Sequence, residues 1–260
     1  MIDIKQFIVD AFTEKIFGGN PAAICVVETF PPEELMLNIA RENNLSETAF
    51  VMKDGENFRL RWFTPATEIN LCGHATLAAG FVILTQYEKN LSVVEFETLS
   101  GKLAVERKGK FFEMNFPAYE PKKISVTDEM SDAVGAKVLE AYLARDLLMV
   151  LENAAAVEKL VPNQDKLSNL DGLIQAVTAA DKNFDCVSRV FCPKIKIAED
   201  PVTGSTHCLI APYWSKRLGK KKISARQASA RGGILHCEVL DDRIKISGSA
   251  ALFAVSDLFI

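Results

Sequence analysis

Residues 67–80, TEINLCGHATLAAG, set a thiol and an imidazole close together, Cys72 and His74, where an alanine-rich apolar run begins. Four chemistries fit those residue types: half of a metal site, a thiolate activated at a helix N-terminus, an anion held by helix amides, or only a well-started helix. Zinc needs more ligands than Cys72 and His74 offer. The other histidines, His207 and His236, form no HxxxH spacing and no cysteine pair has CxxC spacing, so no metal is expected. By type His74 is a general acid or base, because imidazole ionises near neutrality; at a helix start it is equally a cap or core residue. Cys72 is either an activated thiolate or a small buried apolar side chain.

Two acids stand in similarly compact settings. Glu47 lies in NLSETAF, where the following residues read as strand, so it is a catalytic carboxylate or a solvated acid at a strand end. Asp200 lies in AEDPVTGS, and Asp before Pro is by itself a turn signal.

Positioning these groups requires strands that end at them and helices that start at them. A strand at residues 4–10, a Gly18-Gly19-Asn20-Pro21 break and a second strand at 22–27 open the chain. Pro31-Pro32-Glu33-Glu34 starts a helix that Asn43-Asn44 ends. LSETAFVM and FRLRWF read as strands, and a helix follows Gly73 to about Glu88. Strands at 93–98 and 103–116 come next, the second turning at Lys108-Gly109. Residues 117–128 carry proline and lysine with little apolar periodicity, which marks an interdomain linker.

The chain also resembles itself. Arg61-Trp62-Phe63-Thr64-Pro65 matches Arg189-Val190-Phe191-Cys192-Pro193 at an offset of 128 residues, and Gly73-His74-Ala75 matches Gly204-Ser205-Thr206 at an offset of 131. Each is followed by an apolar helix, a glycine turn and paired strands, SGKLAVERKGKFFEMNF in one half and RGGILHCEVLDDRIKIS in the other. Two similar halves, each a sheet carrying a helix, would face each other across a cleft. The helix N-termini at Gly73 and Gly204 have unpaired amides and a positive dipole end, so together they could hold a carboxylate without lysine or arginine.

Bulk properties narrow the classes. A chain of 260 residues with 48% apolar and 25% charged residues suits a soluble globular protein of one large domain or two ordinary ones. A net charge of −4 with scattered cations argues against a nucleic-acid partner. The apolar run at 75–84 is well short of the ~20 residues a membrane span needs, and no secretory signal is read in the opening residues. Six dispersed cysteines suit reduced thiols in the cytoplasm.

GGNPAAICVV, NLSETAFV, RWFTPATEINLCGHATLAAG and EDPVTGSTH, in this order through both halves, resemble the PhzF-like family, named for a phenazine-biosynthesis isomerase. The resemblance implies an α+β fold of the diaminopimelate epimerase type: two pseudo-symmetric lobes, each a curved, mostly antiparallel sheet around a central helix, with the active site in the interlobe cleft. The lobes are expected at residues 1–118 and 129–250, with the end of the chain packing back on the first. It implies a cofactor-independent, metal-free isomerase that shifts a proton on a small carboxylate or amino-acid-like substrate, working in the cytoplasm as a homodimer, with no membrane or nucleic-acid partner. The family's proton-shuttling glutamate matches Glu47, and its cleft histidine, aspartate and serine match His74, Asp200 and Ser205. Substrate contacts carry over to Asn20, Gly73, Ala75, Gly204 and Thr206.

Two departures stand out. The segment from about 119 to 170 is short and fits the family pattern poorly. Racemase relatives use a cysteine at each helix N-terminus, whereas here Cys72 is matched by Thr203, a poor proton carrier near neutral pH. A cysteine-dependent epimerase or dehydratase using Cys72, and a carboxylate-binding protein without chemistry, are the competing readings.

Overall fold

The computed structural model describes residues 3–260; Met1 and Ile2, where the first expected lobe begins and the absence of a signal was read, lie outside the described residues. The chain divides into two compact units, one running up to Asn115 and joined by Ser247–Ile260, the other formed by Phe116–Ile246.

In the first unit β1 (Asp3–Ala11) pairs antiparallel with β2 (Asn20–Val27), and α1 (Glu33–Asn43) carries the chain over to β3 (Glu47–Asp54), parallel to β2. A parallel neighbour needs such a crossover, whereas β4 (Asn57–Phe63) follows β3 antiparallel through a tight turn. The two-residue β5 (Glu68–Ile69) leads into α2 (Gly73–Val82), which continues as a wider π turn over Ile83–Tyr87. The crossover through α2 returns as β6 (Val93–Thr98), parallel to β4, with β7 (Gly101–Lys108) and β8 (Phe111–Pro117) completing an antiparallel meander. Nearly every residue of α2 is buried, His74 to Gly80 without a break, so the helix is the unit's core and the sheet wraps it.

The second unit repeats this order. After β9 (Lys122–Ile124) and α3 (Asp128–Val134), β10 (Glu140–Leu143) pairs antiparallel with β11 (Leu147–Val150). Two short helices, α4 (Ala154–Glu158) and α5 (Gln164–Ser168), cross to β12 (Gln175–Ala179), parallel to β11. Then β13 (Cys186–Phe191) runs antiparallel to β12, α6 (Gly204–Leu218) takes the part of α2, β14 (Lys222–Gln227) lies parallel to β13, and β15 (Gly233–Val239) is antiparallel to β14. The sequence of antiparallel and parallel pairings is that of β1, β2, β3, β4, β6 and β7. Past β16 (Arg243–Gly248), β17 (Ala250–Phe259) adds antiparallel to β1, as β9 adds antiparallel to β10. Each unit is a mostly antiparallel sheet around one buried helix, the diaminopimelate epimerase-like architecture.

The stretch expected as a linker, 117–128, therefore carries a strand. The short segment from 119 to 170 carries most of one core, with Met130, Val134, Ala141, Leu147 and Met149 packed against Val177 and Phe191. No helix of the described residues is long and apolar enough to cross a membrane.

Close approach of α2 to the sheet depends on Gly80, where an added Cβ would lie 2.5 Å from the Val105 side chain on β7. Gly80→Ala is expected to lower stability by about 1–3 kcal/mol, because the clash is with a β-branched side chain that cannot move aside. Urea unfolding with an unchanged m-value would show it.

Candidate active site

Three local devices bring the first unit's polar residues together. Gly18-Gly19 turns the chain from β1 into β2. Gly19 has φ +62°, and a Cβ there would fall 2.1 Å from the Ala11 carbonyl oxygen, so only glycine delivers Asn20 opposite Ala11. Asn44, at φ +50°, closes α1 in the left-handed conformation and donates its amide to the Ala40 carbonyl. Asn43 Nδ2 donates to Gln6 Oε1 on β1 (2.8 Å) and Thr48 Oγ1 on β3 (3.0 Å), which fixes where β3 begins. Its first residue, Glu47, sits opposite Ala22. The third device is α2 itself, with Cys72 as its N-cap and Gly73 and His74 as its first residues.

The outcome is a sealed cluster. Glu47 is 8% exposed, His74 6%, Cys72 7% and Asn20 fully buried. Glu47 Oε2 lies 3.0 Å from His74 Nε2, yet neither atom makes a directed hydrogen bond. The other ring nitrogen, Nδ1, is 3.2 Å from Asn20 Nδ2 and 3.5 Å from Cys72 Sγ. Burial, and then the charge of Glu47, push the Cys72 thiol up, so it is protonated at neutral pH. His74 is pulled both ways: burial lowers it, while the negative charges of a Cys72 thiolate and of Glu47 raise it well above its ordinary value.

Glu47 also enlarges the potential metal set beyond Cys72 and His74, since one ligand atom from each of the three lies within 4.8 Å of the others. The imidazole turns Nε2 to Glu47 and Nδ1 to Cys72.

The second unit builds its set at the start of α6. Thr203, the N-cap, donates its hydroxyl to Asp200 Oδ2. Gln227 on β14 holds this loop from behind, accepting from the Thr203 amide (2.9 Å) and donating to the Asp200 carbonyl (2.7 Å) and to Thr203 Oγ1 (3.2 Å). Ser205 accepts from Arg145 Nη2 at 3.0 Å, and Thr206 donates to Asp146 Oδ2 at 3.0 Å. Gly204 is the first residue of α6, and Gly73 holds the same station on α2. Ala75 and Thr206 are fully buried, backbone included, whereas Gly73 and Ser205 beside them are partly exposed.

The loops before both helices share a clamp that sequence reading missed. Arg61 grips Glu68 through Nε and Nη2, both at 2.7 Å, and lies over the Phe63 ring. Arg189 grips Glu199 the same way, both at 2.8 Å, and lies over Phe191. A bidentate guanidinium fork fixes direction as well as distance. The repeated Arg-x-Phe-x-Pro, followed each time by a glutamate, was the available signal.

A sequence model of the PhzC-PhzF family, described as phenazine biosynthesis-like protein, matches residues 9–255. An uncharacterized isomerase of Pseudomonas aeruginosa is 43% identical over 259 residues, 100% of both chains. A crystal structure of a phenazine biosynthesis protein of the PhzF family from Enterococcus faecalis superposes with a TM-score of 0.98 at 47% identity, covering 100% of both chains. A hydroxyproline epimerase of Agrobacterium vitis shares the fold alone, with a TM-score of 0.65 at 9% identity over 98% of this chain and 92% of that one.

The two buried histidines should titrate in opposite directions. His74 is expected to remain imidazolium as pH rises past 7. Its contribution to stability is complete below the ordinary 6.5 and is lost as pH climbs through the raised value. His207, buried with only the Thr203 carbonyl on Nδ1, is pushed down to about 4 and stays neutral until then; its contribution is lost as pH falls from 6.5 toward that value. Ring carbon NMR shifts across pH 4–9 read both, and Glu47→Gln should bring His74 down.

Proposed function

Because the chain belongs to the PhzC-PhzF family of phenazine biosynthesis-like proteins, we propose that it is an isomerase that moves a proton on a small carboxylate or amino-acid-like substrate, with Glu47 as both acid and base. The observation that carries this reading is the Glu47 carboxylate oxygen, buried 3.0 Å from His74 yet without a directed hydrogen bond. A buried acceptor left without a directed partner is costly, and a substrate proton aimed at it would satisfy it.

In this mechanism Glu47 takes a proton from a carbon of the substrate and returns it to another. His74 balances the carboxylate's charge while the proton is away. In the first unit, negative charge on the substrate is met by the amides that open α2 at Gly73 and by Asn20, and in the second the start of α6 at Gly204 offers the equivalent group. Asp200 and Ser205 orient the substrate's polar groups. The chemistry asks for no cofactor.

The cysteine reading has less support. Cys72 is held as a thiol by burial, and its counterpart Thr203 has its hydroxyl proton committed to Asp200, so neither is a ready base at neutral pH. An opposed pair of bases is therefore not part of the proposal.

The test is incubation in deuterated water with a panel of small carboxylic and amino acids, followed by mass spectrometry. Glu47→Gln should cut deuterium uptake by about 10²–10⁴-fold while ligand binding survives, and Cys72→Ser should leave uptake within a few fold. An active Glu47→Gln protein would sink the proposal. Loss of uptake in Cys72→Ala, or on alkylation, would favour the cysteine enzyme, and binding without exchange would favour a binding protein.

A further inference from the structure

The turn between β10 and β11 contains a pair that no motif announced. Asp146 has no exposed surface, and Arg145 grips it through Nε to Oδ1 (2.9 Å) and Nη2 to Oδ2 (2.7 Å). The turn is itself braced, with the Ala144 amide on the Asp146 carbonyl and the Leu173 amide on the Arg145 carbonyl, while the guanidinium lies over the Tyr119 ring. Such a fork cannot rotate without leaving a buried carboxylate unpaired, which is strongly unfavourable. Two of its consequences fall on the first turn of α6: Asp146 accepts from Thr206, and Arg145 Nη2 donates to Ser205 Oγ.

A serine hydroxyl has one proton and two lone pairs. Here one lone pair is taken by a guanidinium, and no acceptor for the Ser205 proton occurs among the described residues. A hydroxyl that accepts from a cation is polarised and becomes the better donor. Asp146 balances the guanidinium's charge, so the preference for an acceptor rests on the Ser205 proton itself. We propose that Arg145 is the positioning residue of Ser205, holding its hydroxyl as a hydrogen-bond donor, so that the substrate group Ser205 meets is an oxygen acceptor, carboxylate or carbonyl, and not an ammonium. This deepens the functional reading, since it rests on Ser205 as a substrate contact.

Acetate and methylammonium are the probes, titrated into ¹⁵N-labelled protein while the amide signals of Ser205 and Thr206 are followed. Acetate is expected to shift them and methylammonium to leave them in place. Arg145→Met should weaken acetate about tenfold, the loss of one charge-assisted hydrogen bond. Ser205→Ala should do the same, and the double variant should bind no more weakly than the weaker single one. That non-additivity is what a merely structural role of Arg145 would not produce. Arg145→Lys serves if Arg145→Met does not fold: its compact ammonium cannot hold both Asp146 and Ser205, so weakening is expected there too. Wild-type affinity in a folded Arg145 variant, additive losses, a methylammonium response, or no acetate response at these amides would each overturn the proposal. The two readings fail separately. Glu47→Gln removes deuterium uptake without touching the Arg145 dependence of acetate binding, and Arg145 variants leave Glu47 intact.

Discussion

A carboxylate and an imidazole held 3.0 Å apart, nearly out of reach of water, are the constraint around which the first unit is organised. Separating or exposing them is easy in a loose loop, and burying either alone is costly. The chain solves this with stiff supports. Glu47 is fixed by the left-handed turn at Asn44 and the Asn43 bridge to β1 and β3, while His74 is fixed because it starts a helix whose other faces are all core. Asn20 arrives through a turn that only Gly19 permits. The same packing that makes α2 immovable is what lets an ionisable pair persist inside it.

Duplication explains much of the remainder. Each unit wraps its sheet around one helix, enters that helix through an Arg–Glu clamp stacked on a phenylalanine, and opens it with a glycine. The halves then diverge at the cap. Cys72 leaves a buried thiol beside His74, whereas Thr203 hands its hydroxyl to Asp200 and is pinned by Gln227. One copy thus keeps its acid-base group next to an imidazole. The other spends its polar groups on rigidity and on the Ser205 hydroxyl.

Groups whose chemistry is written into short contiguous strings were legible in the sequence. CGHA announced a helix start at Cys72–His74 and the self-resemblance around Arg61 and Arg189 announced two sheet-and-helix halves, while NLSE and DPVTGS alone left Glu47 and Asp200 open between a chemical role and a strand end or turn. Partners distant in the chain were not legible. Gln227 acts only once strands are aligned, and Arg145-Asp146 lies in a segment with no recognisable pattern, although Asp146 is as buried as any core leucine. The strand at Lys122–Ile124 was hidden for a related reason: it is three residues long with two lysines, and its backbone pairing to β10 is what reveals it.

The most direct measurement of the central claim is the fate of a label carried by the substrate itself. The compound that exchanges in deuterated water is prepared with deuterium at the reacting carbon and turned over once in ordinary water. A single buried glutamate that removes and returns the proton predicts that a measurable share of the deuterium reappears in the product. Complete replacement by solvent protons, together with loss of turnover in Cys72→Ser, would contradict it and move the chemistry from Glu47 to the thiol.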